Sequence, residues 1–199
     1  SNGPTLTSDD NSTLLIQHEK EAAQYGLALS HLLNGSTKPA LQISRELSTQ
    51  SPHRIIYQLL FLDANLQAGN TEYAITELSK LSAITPNNYP VFMALANALM
   101  KQKQYDTAAK TLQRLAKARP KQPDIWYLLA EVQGLNGDIL GLHQSRAEFF
   151  QLNGQYNYAI KHLNIAYKIA DGNFQAQAKI KSRLQQVAAL KQTADGFTS

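Results

Sequence analysis

The chain has 199 residues, 43% of them apolar, which is enough for one compact domain or one elongated repeat array. It contains no cysteine, so disulfides, thiolate zinc sites and cysteine nucleophiles are excluded. The formal net charge is +4, and no apolar run reaches the roughly 18 residues of a membrane-spanning helix, so we expect a chain that dissolves in water.

The N-terminal end carries neither a structural nor a targeting signal. Residues 1–13 are rich in Ser, Asp and Asn, and we expect them to form a disordered tail or a cloning remnant. No charged segment followed by an apolar stretch resembles a signal peptide. If the natural protein is exported, its signal is expected to lie upstream of this sequence.

Apolar residues at helical spacing predict ten helices between residues 14 and 192, followed by a second disordered tail at residues 193–199. In chain order, the predicted helices are 14–33, 38–50, 55–68, 71–84, 89–102, 105–118, 123–135, 139–152, 156–170 and 173–192.

The middle of the chain repeats with a period of 34 residues. Three kinds of residue recur at this spacing: Pro52, Pro86 and Pro120; Ala40, Ala74 and Ala108; Leu47, Leu81 and Leu115. A period of 34 residues with two helices in each repeat is typical of the tetratricopeptide repeat. The sequence therefore predicts an all-α fold, a tetratricopeptide-like α–α superhelix (solenoid) of about ten helices over residues 14–192.

Each recurring residue has a physical role in such a repeat. Small residues on both helices allow the two helices of a pair to approach closely, and proline ends the second helix of the pair. Glycines stand where the two helices are joined, because a left-handed backbone is favoured there. The glycines at this junction are Gly35, Gly69, Gly137 and Gly154.

The fourth repeat is followed too early by a new turn. Asn153-Gly154 lies only 17 residues after Gly137, and Ala159 then occupies the small position of another second helix. One helix, near 139–152, is therefore expected to pair with the helix before it and with the helix after it. The pattern predicts an irregular three-helix unit near residues 123–170.

This restart also carries a resemblance to a known family. Four segments are similar to the C-terminal tetratricopeptide domain of periplasmic zinc metalloproteases of the BepA type: QYGLALSHLL (24–33), NNYPVFMALANALM (87–100), PDIWYLLAEVQGLNGD (123–138) and RAEFFQLNGQYNYAIKHLNIAYKIADGNFQAQAKIKSRL (146–184). The last segment is the most specific, because it joins the early restart to a DGNF turn and a basic final helix. The resemblance implies that this chain corresponds to the accessory, non-catalytic part of such a protease.

The catalytic part of that family is missing from this sequence. No HExxH motif is present, and the five histidines are not spaced three or four apart as zinc ligands on one helix would be. We expect no enzyme activity and no cofactor in this chain. Zinc is expected only in the missing catalytic domain of a parent metalloendopeptidase.

A concave groove is the expected binding surface. The first helix of each pair lines the inner face of a tetratricopeptide array. Positions counted along those helices give one apolar and one polar stripe, so we predict a partner-binding groove of eight residues: Tyr25, Leu59, Asp63, Met93, Asn97, Met100, Tyr127 and Glu131. Asp63, Asn97 and Glu131 are expected to orient the backbone of a peptide ligand or to favour a basic residue in it. Tetratricopeptide domains that bind a C-terminal carboxylate use Lys, Arg and Asn at these positions. Only Asn97 fits that pattern and Asp63 and Glu131 are acidic, so we predict that a free C-terminal carboxylate is not the ligand.

The resemblance implies a role for this groove. It predicts a periplasmic module that docks substrates or partners for a metalloprotease and chaperone in outer-membrane protein assembly and quality control. The implied partners are misassembled outer-membrane proteins, the barrel-assembly machinery and the module's own catalytic domain. A free-standing tetratricopeptide adaptor in envelope or secretion assembly is the alternative.

Two further surfaces remain open from the sequence. Seven basic residues and one acid lie between Lys101 and Lys121, which predicts either a solvated outer helix face or, as a second alternative, an anionic-surface or nucleic-acid site. The final helix carries an apolar stripe, Ile180, Leu184 and Val187, which is expected either to cap the array or to mediate dimerisation.

Overall fold

The computed structural model describes residues 8–196, with side chains from residue 13 onward. All regular secondary structure in that range is helical, and the ten predicted helices are confirmed. Their bounds are α1 Ser8–Leu33, α2 Thr37–Gln50, α3 Ile55–Gln67, α4 Thr71–Ile84, α5 Tyr89–Lys101, α6 Tyr105–Ala118, α7 Pro123–Leu135, α8 Ile139–Leu152, α9 Tyr156–Ile169 and α10 Phe174–Gly196.

Both predicted disordered tails are helical wherever the structure describes them. Residues 8–13 belong to α1 and residues 193–196 belong to α10, so the prediction of disorder is wrong for these segments. Extending an existing helix costs far less than starting one, and no proline interrupts either segment. The remainder of the predicted tails, residues 1–7 and 197–199, lies outside the described residues.

The chain divides into two compact units, the first ending at Leu81 and the second beginning at Ser82. In the first unit, α1, α2 and α3 pack against one another. Ala28 and Ala40 are fully buried, as their small-residue positions require. The buried core of these helices consists of Ala28, Leu32, Ala40, Leu47, Tyr57, Leu60 and Ala64.

A buried carboxylate also ties the first unit together. Glu21 on α1 is 3% exposed. Its carboxylate accepts hydrogen bonds from the Ser51 hydroxyl at 2.9 Å, the Tyr57 hydroxyl at 3.2 Å and the Gln17 amide at 3.1 Å, and the Arg54 guanidinium lies 3.7 Å away. These hydrogen bonds offset the cost of burying the charged carboxylate, and they hold α1 against the start of α3.

In the second unit each helix from α5 to α10 packs against the next along the chain. Ile180 and Val187 on α10 are only 1% exposed, and Leu184 packs against the same cluster. Of the two expected roles, capping the array and dimerisation, the structure favours capping, because α8 and α9 contribute Ala147, Leu163 and Ala166 to the core that covers the stripe.

Five of the described turns share one hydrogen-bond pattern. A residue with positive φ donates its N–H to the carbonyl three residues back, and the next residue donates to the carbonyl five residues back, which is the Schellman arrangement. The positive-φ residues are Gly35, Gly69, Lys103, Gly137 and Gly154. Lys103, with φ of 57°, adopts the same left-handed conformation, although it is not a glycine.

The early restart is confirmed at the level of this turn. Gly154 forms the within-pair turn only 17 residues after Gly137. Ala147, seven residues before Gly154, is 1% exposed, and Ala159, five residues after it, is fully buried. These are the two small positions of a helix pair, and α8 packs against both α7 and α9. The helix α8 therefore serves as the second member of one pair and the first member of the next.

Candidate peptide-binding site

The eight predicted groove residues are distributed over both units. Tyr25, Leu59 and Asp63 lie in the first unit and the other five in the second. The polar stripe is exposed at all three of its positions, Asp63, Asn97 and Glu131. The apolar positions differ in exposure: Leu59, Met93 and Met100 are half-buried, whereas Tyr127 is 58% exposed.

Tyr25 has a packing role that the groove prediction did not include. It is half-buried against the core of the first unit, and its ring lies 6.0 Å from the Tyr57 ring. At least part of this side chain therefore stabilises the packing of α1 against α3.

Two of the predicted residues meet in one cavity of the second unit. Tyr127 and Glu131, one turn apart on α7, line a cavity of about 350 Å³ together with residues of α8. Its full lining is Tyr127, Ala130, Glu131, Arg146, Phe149 and Phe150. The three residues from α8 were not among the sequence predictions, because that helix was assigned only as a packing partner.

A polar network sets the register of the two helices that form the cavity. Asp138 caps α8 by accepting a hydrogen bond from the Gly141 N–H at 2.8 Å. The Gln133 amide of α7 donates to Asp138 at 3.1 Å and accepts from the Ser145 hydroxyl of α8 at 2.6 Å. A Cβ on Gly141 would lie 2.1 Å from Asp138 Oδ2 and 2.2 Å from Gln133 Nε2, so only glycine leaves room for this network.

Aromatic rings form the apolar side of the cavity. The Tyr127 and Phe149 rings are 5.4 Å apart, and the Phe149 and Phe150 rings are also 5.4 Å apart. Behind the cavity, Phe150 stacks on Tyr158 and on His162 of α9, at 5.3 Å in both cases. Each ring of the cavity therefore contacts at least one other aromatic ring, so the rings form one continuous apolar surface.

Two opposite charges border these rings. Glu131 on α7 and Arg146 on α8 are both exposed, and neither forms a hydrogen bond or an ion pair with any residue whose side chain is described. An aromatic surface flanked by a free carboxylate and a free guanidinium can hold an apolar side chain while both charges orient polar groups of the ligand. The prediction that excluded a terminal carboxylate rested on Asp63, Asn97 and Glu131 and did not consider Arg146.

A histidine pair lies directly behind this cavity. His143 Nδ1 on α8 and His162 Nδ1 on α9 are 2.8 Å apart, although the two residues are 19 positions apart in the sequence. Burial lowers the pKa of both imidazoles; the charge of His143 and then that of Arg146 reinforce this at His162, whose pKa falls to about 4. Both rings are therefore neutral near pH 7.

The sequence analysis missed this pair because it searched for histidines one turn apart on a single helix. The available signal was their distribution around the Asn153-Gly154 turn, since residues on either side of a helical hairpin face one another. Among residues 13–196, no three His, Cys, Asp or Glu side chains cluster as metal ligands. Nor is any helix of residues 8–196 both long enough and apolar enough to cross a membrane.

The basic segment from Lys101 to Lys121 uses several of its charges internally. The Arg114 guanidinium lies over the Phe92 ring at 5.4 Å, and Arg119 Nε donates to the Asn87 carbonyl at 3.1 Å. Lys110 pairs with Asp106 at 2.6 Å. These contacts favour the interpretation of a solvated helix face, because a phosphate-binding surface needs its cations free.

Comparison with known proteins agrees with this architecture. A family model described as a tetratricopeptide repeat matches residues 65–132. The fold is that of the tetratricopeptide repeat. Solved structures with this fold include MamA from Desulfovibrio magneticus, with a TM-score of 0.58 and 19% identity over 86% of this chain and 97% of that one. A thermophilic tetratricopeptide protein from Thermus thermophilus has a TM-score of 0.53 and 16% identity over 83% and 99% of the two chains.

Curated relatives are similar over most of this chain. A beta-barrel assembly-enhancing protease from Yersinia pestis is 30% identical over 178 residues, which is 87% of this chain and 36% of the relative. The protein of the same name from Escherichia coli is 28% identical over 90% of this chain and 37% of its own length. The chain thus spans little more than a third of these relatives, which agrees with the resemblance noted in the sequence.

Proposed function

We propose that this chain is a protein-interaction module that docks peptide segments of partner proteins, and that the cavity between α7 and α8 is one of its binding sites. The observation that supports the proposal is the combination of an aromatic surface with two exposed and unpaired charges, Glu131 and Arg146. Covering such charges with a polar ligand costs little free energy, because the ligand replaces water as their hydrogen-bond partner. The tetratricopeptide fold is a frequent scaffold for binding of this kind.

The relatives support a proposal for the identity of the docked proteins. We propose that the module serves a periplasmic zinc metalloprotease and chaperone that acts in outer-membrane protein assembly and quality control. Its partners would be misassembled outer-membrane proteins and the barrel-assembly machinery, and it would also contact its own catalytic domain. The names and the extent of the curated relatives support this assignment.

A site-specific photo-crosslinking experiment tests the proposal. A photoreactive amino acid replaces Tyr127, whose exposed ring lines the cavity, and the protein is irradiated in an envelope extract. A matched control carries the same amino acid at Lys117, an exposed position on α6. We expect outer-membrane proteins or barrel-assembly components to be captured from position 127 and not from position 117.

Two other outcomes would contradict the assignment. Equal capture of the same proteins from both positions would mean that the cavity is not a preferred docking site. Capture of proteins of an unrelated envelope or secretion apparatus, again from position 127 only, would keep the docking site and favour the free-standing adaptor. A second reporter at Asn97, on the predicted polar stripe, shows whether α5 contributes to the same surface.

A further inference from the structure

The cavity carries its two charges on different helices. Glu131 comes from α7 and Arg146 from α8, and the aromatic residues Tyr127, Phe149 and Phe150 complete the lining. Among the described residues, Glu131 and Arg146 do not form an ion pair with each other. A ligand that fits this cavity therefore meets an acidic group on one helix, a basic group on the other, and an apolar surface in the same space.

Arg146 is the cation on the α8 side of the cavity, and its side chain is exposed. Besides burial, the charge of Arg146 lowers the pKa of His162, which stacks on Phe150, and that of His143. A carboxylate of the ligand placed beside Arg146 would be attracted by this unpaired guanidinium.

We propose that the cavity recognises an internal peptide segment in which an acidic residue lies next to a large apolar residue, preferably an aromatic one. This inference rests on the proposed docking function and names its ligand class. The apolar side chain packs on Tyr127 and Phe149, the ligand carboxylate pairs with Arg146, and main-chain N–H groups of the segment donate to Glu131. The ligand thereby supplies one partner to each free charge and buries its ring against rings that are already in place.

An internal segment fits better than a chain terminus. A terminal carboxylate is bound best where several donors converge on it, whereas this cavity offers one guanidinium and places the Glu131 carboxylate in the same lining. An internal segment can continue past both helices, so that its N–H groups and its acidic side chain reach different walls. The proposal therefore commits to an Asp or Glu side chain as the source of the carboxylate.

Fluorescence anisotropy with short labelled peptides tests the inference on the full chain. The reference peptide has the central sequence Ser-Phe-Asp-Gly and an amidated C-terminus. Matched peptides replace Phe with Ala, Asp with Asn, or Asp with Lys, and a further peptide ends in Phe with a free carboxylate. We expect the Asp peptide to bind about tenfold more tightly than the Asn peptide, as a charge-assisted pair allows, and the difference to shrink as salt is added.

Substitutions assign that preference to the cavity. Arg146→Gln should abolish the difference between the Asp and Asn peptides, whereas Lys117→Gln, which removes the same charge from an exposed position on α6, should leave it intact. The double substitution Arg146→Glu with Glu131→Arg should reverse the preference toward the Lys peptide. Circular dichroism of each variant shows that the helices are retained.

The outcomes separate this inference from the proposed function. Equal binding of the Asp and Asn peptides, still lost when Tyr127 is replaced by Ala, would overturn the inference and keep the docking site. Tighter binding of the peptide with a free C-terminal carboxylate would overturn the choice of an internal segment. Failure of every peptide to bind, together with no capture from position 127, would overturn both proposals.

Discussion

Leu142 on α8 occupies a position at which the regular repeats carry alanine, and it lies directly against Gly134 on α7. A Cβ on Gly134 would come within 2.7 Å of the Leu142 Cδ1. One period earlier, the equivalent residues are Met100 and Ala108, so the large and the small residue have exchanged places. At this contact the large side chain therefore comes from α8, and the residue without a side chain comes from α7.

This exchange predicts strong coupling between the two positions. Gly134→Met should destabilise the protein by about 2 kcal/mol through overpacking, and Leu142→Ala by about 2 kcal/mol through the space it leaves. The double variant, which restores the pattern of the preceding repeat, should recover at least half of the combined loss. Urea denaturation followed by circular dichroism gives the free energies. Additive losses would show that the two side chains do not depend on each other.

Glu21 should stabilise the first unit in a pH-dependent manner. Its hydrogen bond from Gln17 is the largest cause of a lowered pKa, and the hydrogen bonds from Ser51 and Tyr57 act in the same direction. Glu21→Gln should cost about 2 kcal/mol at neutral pH, because the donors that surround it keep only a weaker acceptor. Glu19→Gln, an exposed change on the same helix, should cost little.

The sign of the pH effect follows from the direction of the shift. The unfolded carboxyl titrates near its ordinary pKa of about 4.5, and the pKa of the folded carboxyl is lower. The stabilisation by Glu21 is therefore complete above about pH 4.5 and is lost as the pH falls through the lower folded value. The stability difference between the wild type and Glu21→Gln should shrink in this range. A constant difference down to acidic pH would contradict the assigned role.

The His143–His162 pair should make folding stability fall on mild acidification. The pKa of His162 is lowered from 6.5 to about 4 in the folded protein, so the unfolded chain binds more protons between these values. Stability should decrease as the pH falls through this window. His162→Gln should flatten the slope, while His53→Gln, an exposed change in the first unit, should leave it unchanged.

An NMR titration measures the same effect at its source. The imidazole resonance that disappears in His162→Gln should remain in its neutral position until the pH approaches about 4. Because His162 stacks on Phe150, signals of that ring should shift along with it. A midpoint near the ordinary value for histidine would show that the two rings do not form a half-buried pair.

Replacing Lys103 with glycine should stabilise the protein. It has φ of 57° in a turn whose four counterparts are glycines, and a left-handed backbone is costly for a residue with a Cβ. Lys103→Gly should raise the free energy of unfolding by about 0.5 to 1 kcal/mol. Lys101→Gly, the same change at the last residue of α5, should lower the free energy of unfolding slightly. A loss of stability in both variants would mean that the Lys103 side chain outweighs its backbone strain.

The sequence alone determined the helices, their pairing and the place where the pairing is interrupted. These features depend on interactions within a few residues along the chain: apolar spacing at 3.6 residues, glycine or proline at each turn, and small residues at fixed distances from that turn. The same local rules identified Gly154 as an early turn and Ala159 as the small position of the second helix that follows it. They missed Lys103, because a turn imposed by its neighbours can hold a residue that does not favour it.

Only the tertiary structure decided which side chains from different helices meet. Arg146 and Glu131 line the same cavity, and His143 lies within hydrogen-bonding distance of His162. Glu21 accepts a hydrogen bond from the hydroxyl of Tyr57, which is 36 positions away in the sequence. These contacts depend on the rotation of each helix about its axis and on the direction of long side chains, which small differences in packing set. The period fixed which residues face a neighbouring helix. The period also shows that Gly134 and Leu142 replace Met100 and Ala108 of the preceding repeat, but only the packing of α8 on α7 shows that these two residues lie against each other.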